Sequence, residues 1–321
     1  MIFDEAARLT LSEDPRARRS ACDVLSQLGY EYGRPFGAET VPLLARICAE
    51  EASAPVLASA VSAMGHLHLP ETLAFVVAHA THSDSNVRVS VACSLPSIAG
   101  VEWLDSAHSA VTTLMQLMSD EDADVRDWAT FGLGTQLKVD GAVVRQCLIA
   151  RVDDPDEDTR AEAIAGLARR HEPEIVRHIR NALRDDTVGR LTVESACSLG
   201  DPSLAEPLAE LAGWWDVDAE LLEDARRRCD PTRIDGEATL VGELLDAAER
   251  SHLSISVSSE LLPTGAADLE VSLADTGMDY VYAMGALMRR AGGSVDAAIR
   301  LIRHDFDQPA PIGPSAASWR A

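Results

Sequence analysis

The chain is short of aromatic residues, which make up 4% of its 321 positions, and short of base, with 28 Lys and Arg against 52 Asp and Glu for a formal charge of -24. The shortage of base opposes binding to a phosphate backbone, because no surplus of cationic side chains exists to displace counterions. Nucleic acid is not an expected partner; a basic protein is. With so few aromatics, Ala and Leu carry much of the 46% apolar content, which suits helices packed through small residues better than sheets. No stretch approaches the roughly eighteen uninterrupted apolar residues of a membrane span. The first residues, MIFDEAARLTLSEDPRARR, carry acids where a secretory leader carries bases, so the cytoplasm is the expected compartment. The cysteines, Cys22, Cys48, Cys93, Cys147, Cys197 and Cys229, form no C-x-x-C pair and mostly fall on apolar helical stripes; they read as reduced core residues. There is no G-x-S-x-G elbow, P-loop or Gly-rich dinucleotide fingerprint. A non-catalytic protein without a cofactor is the leading expectation.

What the chain does have is a repeat. Its clearest copy is SDEDADVRDWATFGLGTQ, Ser119 to Gln136: an acidic turn, a Val-Arg pair, a small residue at Ala129, then Gly132-Leu133-Gly134. The pattern returns as SDSNVRVSVACSLP from Ser83, as DDPDEDTRAEAIAGL from Asp153 and, more loosely, from Glu13 to Leu25. Aligned on the residue after the valine, the copies fall at Arg18, Leu57, Arg88, Arg126, Arg160 and Thr192, 31 to 39 residues apart. That period points to a solenoid of helix pairs. First helices are expected near 2–10, 39–50, 70–81, 105–118, 140–151, 173–184 and 202–212, and second helices near 15–28, 54–66, 85–98, 123–137, 157–170, 188–199 and 217–228. In the second helices Val125, Ala129 and Leu133 form one stripe at i, i+4 and i+8, matched by Val87, Val91 and Leu95 and by Val56, Ala60 and Met64.

The order of acidic turn, Val-Arg, Ala and Leu-Gly resembles HEAT repeats, in particular the short bacterial kind also described as phycobilisome-lyase-type, over roughly residues 1–230. The resemblance implies a right-handed α-solenoid of about seven antiparallel helix pairs whose second helices line a concave face. It says little about activity, since such repeats serve scaffolds, inhibitors, bilin lyases and DNA glycosylases. The domain organisation expected is a solenoid over 1–230, a linker over 231–238, a small C-terminal α+β module or cap over 239–308, and a disordered tail over 309–321. In the module, alternation at Leu253, Ile255 and Val257 and at Leu269, Val271 and Leu273 predicts two short strands around a Pro-Thr-Gly loop, with helices near 240–250, 278–290 and 294–304.

Stacking places every acidic turn on one edge. Asp84, Asp120, Glu121, Asp122, Asp124, Asp153, Asp154, Asp156, Glu157, Asp158, Asp185 and Asp186 then form an acidic ridge. Capping of the second helices accounts for one or two acids per turn; a binding ridge for a basic partner would use the surplus. Calcium fails on register. An EF-hand loop from Asp120 would put Val125 where Gly is needed and Phe131 where Glu is needed, and a loop from Asp154 puts Thr159 and Ala165 there. His66 and His68 should lie at the edge opposite His79 and His82, so no shared metal ion is expected. The recurring arginines should stack as a ladder beside acids of adjacent repeats, with rungs missing at Leu57 and Thr192.

Trp128 and Asp127 stand where other repeats place small polar residues or Glu162. They are either a hot spot on the concave face or fillers of a wider gap between repeats. With Phe131, Glu162 and Glu194 they make up the expected partner-binding face. Tyr30, Tyr32 and Phe36 form an aromatic loop that offers a second contact, and Trp214 and Trp215 are expected to pack the solenoid against the C-terminal module. The functional expectation is a monomeric interaction scaffold or inhibitor, with immunity against a basic toxin as one version. The alternative is a lyase or chaperone for a small chromophore on the concave face; a DNA-repair enzyme of the same fold ranks third.

Overall fold

The computed structural model describes residues 2–28, 32–100, 104–213, 218–230, 254–258, 268–272, 279–283, 287, 290–292 and 295–307. The chain divides into two compact units, Met1–Ser195 and Ala196–Ala321.

The first unit is a stack of antiparallel helix pairs: α1 (Ile2–Leu9) with α2 (Pro15–Gln27), α3 (Gly37–Glu50) with α4 (Ala54–Leu67), α5 (Leu73–Val77, entered through a 3-10 turn at Pro70–Thr72) with α6 (Ser85–Ala99), and α7 (Ser109–Leu117) with α8 (Ala123–Phe131). It continues with α9 (Ala142–Ile149), α10 (Glu157–Arg169), α11 (Val176–Ala182) and α12 (Arg190–Leu199), the last crossing into the second unit. Four second helices of this unit, α2, α6, α8 and α10, start the same way, whereas α4 follows Ser53, which makes no side-chain cap. An acid precedes each of the four with extended backbone and turns its carboxylate onto the first free amides: Asp14 to Arg16 N, Asp84 to Asn86 N, Asp122 to Asp124 and Val125 N, and Asp156 to Thr159 N. These donors have no partner inside the helix, and each such cap contributes about 1 kcal/mol.

The predicted stripes are the core. Val87, Val91 and Leu95, and Val125, Ala129 and Leu133, are fully buried, and Val56, Ala60 and Met64 are within 1% of it. Successive second helices pack directly on one another, α2 on α4, α4 on α6, α6 on α8 and α8 on α10, whereas neighbouring first helices meet far less. The more closely spaced row lies on the inside of a bend, so within this unit the second helices form the inner face.

One second helix departs from the expected 123–137 span. Beyond Phe131 the α-helix widens into a π-helical turn at Gly132–Gln136, and Leu137 N reaches back five residues to Gly132 O at 3.0 Å. The glycines permit this by letting backbones touch. A Cβ on Gly166 of α10 would lie 2.7 Å from Gly134 Cα, and one on Gly134 would lie 3.2 Å from Gly166 Cα.

The second unit holds a further helix pair, α13 (Ala205–Glu210) and α14 (Ala219–Arg228), then three strands and α15 (Val295–Asp307). Strands β1 (Ser254–Ser258), β2 (Asp268–Ser272) and β3 (Asp279–Ala283) form an antiparallel sheet in that order, with Ile255 opposite Val271 and Leu269 opposite Tyr282. The helix expected from Met278 is thus corrected at its start. Tyr280, Val281 and Tyr282 are aromatic or β-branched, side chains that suit a pleated surface, and they extend the sheet. The expected linker over 231–238, the helix near 240–250, Trp214, Trp215 and the tail lie outside the described residues. The fold is thus mainly α, a solenoid of helix pairs with a smaller C-terminal α+β region.

Candidate functional site

The acids of the turns fall into groups with different work. The first belongs to an arginine ladder. Arg126 extends from the start of α8 and donates through Nε and Nη2 to both carboxylate oxygens of Asp154 in the next turn, at 3.0 and 2.8 Å. Its Nη1 binds the Asp120 and Glu121 carbonyls of its own turn, both at 3.1 Å. Arg88 repeats the arrangement on Asp120 at 2.7 Å from both nitrogens, with Nη1 on the His82 and Ser83 carbonyls. Arg18 does so on Glu51, with Nη1 on the Ser12 and Glu13 carbonyls. Each receiving carboxylate also takes the amide two residues on: Ser53 N on Glu51, Asp122 N on Asp120, Asp156 N on Asp154. Burial presses the Asp120 and Asp154 carboxyls upward, but the guanidinium and amide donors more than offset it and hold both below the usual carboxylate range. The two-pronged fork is what only Arg offers. Arg160 keeps the turn half of the motif, on the Asp154 and Pro155 carbonyls, and among the described residues no carboxylate completes it.

Of the expected ridge, Asp120 and Asp154 are therefore internal, Asp154 at 5% exposure, and Asp84, Asp122 and Asp156 are caps. Glu121, Asp124, Asp153, Glu157, Asp158, Asp185 and Asp186 remain exposed, and they carry the surplus charge of that edge.

The inner face is different. The position two residues after the ladder arginine runs Ser20, Ser59, Ser90, Trp128, Glu162 and Glu194 from α2 to α12. Between α2, α4 and α6 lies a polar groove of about 430 Å³, lined by Arg19 and Asp23 of α2, by the small side chains Ala58, Ser59 and Ser62 of α4 and by Ser90 of α6. At α8 the surface rises. Trp128 is 40% exposed and meets Phe131 edge-on, with ring centroids 5.9 Å apart. Beside this pair lie two half-buried carboxyls. Burial, reinforced by Asp158, Asp156 and Asp124, pushes Asp127 up to about 6. Burial and the charge of Asp127 push Glu162 up to about 7, although the Thr135 hydroxyl, donating at 3.3 Å, and Arg169 favour its ionised form. Among the described residues Asp127 has no hydrogen-bond or ion-pair partner. Glu194 is bound by Arg190 at 2.7 Å and also faces Arg169. The structure thus brings Asp127, Trp128 and Phe131 together on α8 with Glu162 across from them, while Glu194 is already paired.

The aromatic loop is split. Phe36 stacks on Phe3 of α1 at 4.9 Å and serves the fold. Tyr32 is 83% exposed, and Tyr30 lies outside the described residues. His82 Nδ1 accepts the Asp84 amide at 3.0 Å, and among the described residues no group of three or more His, Cys, Asp or Glu could hold a metal ion. No helix of the described residues is long and apolar enough to cross a membrane. Sequence reasoning missed the groove and the upward shift of Asp127 and Glu162. The serines at one register position were a visible signal for the groove; the shifts depend on burial and on charges brought in from a neighbouring repeat, which spacing does not disclose.

Comparison with known proteins agrees with this architecture. Residues 41–134 match the family of HEAT repeats. Protein YibA of Escherichia coli (strain K12) is 31% identical over 117 residues, which cover 36% of this chain and 41% of YibA; the chain therefore spans less than half of that relative. The X-ray structure of YibA matches with a TM-score of 0.59 at 23% identity, over 72% of this chain and 81% of that one. The CpcE–CpcF complex of phycocyanin lyase from Nostoc sp. is more distant, at a TM-score of 0.46 and 15% identity over 70% of this chain and 86% of that one. The YibA structure supports the fold alone.

Proposed function

We propose that this array of HEAT repeats is a non-catalytic scaffold or inhibitor that receives a basic protein on its inner face, with Asp127, Trp128, Phe131 and Glu162 as the contact centre. The observation that carries the reading is Asp127: a half-buried carboxyl with no hydrogen-bond or ion-pair partner among the described residues, next to the exposed Trp128. Burying an uncompensated carboxylate is unfavourable, and a guanidinium or ammonium from outside would relieve it while stacking on Trp128. The exposed acids of the turns, Glu121, Asp124, Asp153, Glu157 and Asp158, supply long-range attraction and speed encounter. The nearby carboxyls are raised enough to titrate near neutrality, so a cationic partner should displace protons on binding.

The test uses a tryptophan-free, arginine-rich peptide as probe. Trp128 emission should change on titration, and the change should disappear in Trp128→Phe while the other tryptophans remain. Affinity should weaken between low and moderate salt, because the turn acids act at range. Binding that ignores ionic strength, or an unchanged response in Trp128→Phe, would remove the inner face from consideration.

A further inference from the structure

The π-helical turn Gly132–Gln136 continues α8 directly beyond Phe131 of the proposed contact centre, and the binding reading does not account for it. Widening the last turn of α8 releases backbone carbonyls that must find other donors. Those of Leu133 and Gly134 find one side chain. Arg170, at the end of α10, donates through Nη1 to Gly134 O at 2.8 Å and Gly166 O at 2.7 Å, and through Nη2 to Leu133 O at 2.9 Å and Val139 O at 2.7 Å. The residue is 4% exposed. Burial pulls its guanidinium down to about 10, and the nearest acid, Asp140, stands 3.7 Å from a Nε that has no hydrogen-bond partner. A cation this deep is an expensive way to close a helix end. What it secures is the segment that hydrogen-bonds Glu162 of the inner face. Thr135 sits in the π turn, its carbonyl takes Arg169 Nη1 at 3.2 Å, and its hydroxyl donates to Glu162 Oε2 at 3.3 Å.

We propose that Arg170 is a positioning residue for the inner-face site: by pinning the π turn it holds Thr135 against Glu162 and so sets the carboxylate that meets the partner's cation. The proposal rests on the binding reading for its purpose, but its test is read in the protein alone. Glu162 is faced by Asp127 from α8, by Thr135 from the π turn and by Asp158 and Arg169 of its own helix, with Glu194 of α12 beyond Arg169. Of these, Thr135 is the group whose placement depends on Arg170.

The experiment follows the Glu162 carboxyl by carbon NMR through a pH titration of the full chain, in the parent protein, Thr135→Val and Arg170→Lys. Loss of the hydroxyl donor in Thr135→Val should raise the Glu162 midpoint by about half a pH unit. Arg170→Lys keeps the charge but loses the fork; it should raise the midpoint by a similar amount, and the double variant should add nothing further, as expected of residues acting in series. The Leu137 amide, which closes the π turn, should exchange roughly tenfold faster in Arg170→Lys than in the parent. A folded Arg170→Lys with the parent midpoint overturns the proposal, and so does a Thr135→Val whose midpoint does not move. Should Arg170→Lys not fold, the parent and Thr135→Val decide: an unprotected Leu137 amide in the parent, or an unmoved midpoint, overturns it. Predicted shifts without any binding of the arginine-rich probe would leave the positioning role standing and remove the binding reading.

Discussion

The same two residue types do opposite work at the turn edge and on the inner face. At the edge, Asp120 and Asp154 are buried, bound by a guanidinium fork and a backbone amide, and held below the ordinary carboxylate range. On the inner face, Asp127 and Glu162 are half-buried and are pushed up to about 6 and about 7, because burial and neighbouring acids outweigh the few donors near them. Burial alone does not decide a carboxyl's state; the donors that accompany it do. An acid that is fully provided for has been spent on the fold, and an acid that is not remains available to a ligand.

The contrast can be broken most severely at the ladder. Arg126→Ala leaves Asp154, whose side chain is 1% exposed, with Arg151 as its one cationic partner among the described residues and the Asp156 amide as a second donor, and should destabilise the first unit by about 3 kcal/mol, measured by urea unfolding. Asp154→Asn, which keeps the shape and removes the charge, should cost about 2 kcal/mol, since the Arg126 fork loses a charged acceptor. The matching substitution on the inner face, Asp127→Asn, should have the opposite sign: at pH 8 it should stabilise by up to about 1 kcal/mol, after allowance for solvent screening. The direction follows from proton linkage. The native state holds protons on Asp127 and Glu162 that the unfolded chain has released, so their contribution is complete below the ordinary carboxyl range and is lost as pH rises through about 6 to 7. The ladder acids run the other way and lose their contribution as pH falls through their lowered values. The advantage of Asp127→Asn should therefore vanish in unfolding curves recorded near pH 4, and an advantage that persists there would show that charge is not the cause. The smallest effect belongs to Glu121, whose side chain is 91% exposed: Glu121→Gln should leave the unfolding midpoint in place and only slow association of a basic probe at low salt.

Much of the architecture was legible in the sequence because its signals are local. The i, i+4, i+8 stripes of Val87, Val91 and Leu95 and the acids before α2, α6, α8 and α10 report on neighbours within a few residues, and these helices begin and end close to the expected positions. The arginine ladder was also legible as a recurring position, though its partner in the next turn was not assigned. The π turn was not visible. GLGTQ reads as an ordinary helix end, and what widens it is Gly166 and Arg170, 32 and 36 residues beyond Gly134. The third strand was missed because DYVYAMGALMRR mixes strand-favouring residues with a helical continuation. At the site, Trp128 and Asp127 stood out as departures from a template, which a repeat makes visible. The division of the ridge acids into caps, ladder members and exposed surplus required coordinates, since all carry the same letters.

The ladder also sets how far a local opening can spread. Each completed rung fastens one turn to the next, so repeats joined by rungs should open together, and repeats without one depend on helix packing alone. Rungs join the first repeat to the second through Arg18 and Glu51, and the third, fourth and fifth through Arg88 and Arg126. None joins the second to the third, where Leu57 replaces the arginine and is buried, and there the helices hold by contact instead: Ser94 donates to Val61 O at 3.2 Å, and a Cβ on Gly65 would fall 2.5 Å from Ser94 Oγ. After the fifth repeat Arg160 grips only its own turn. The repeats that carry Trp128 and Glu162 therefore lie inside the longest fastened block, which makes the inner-face centre the part of the array least able to yield when a partner docks.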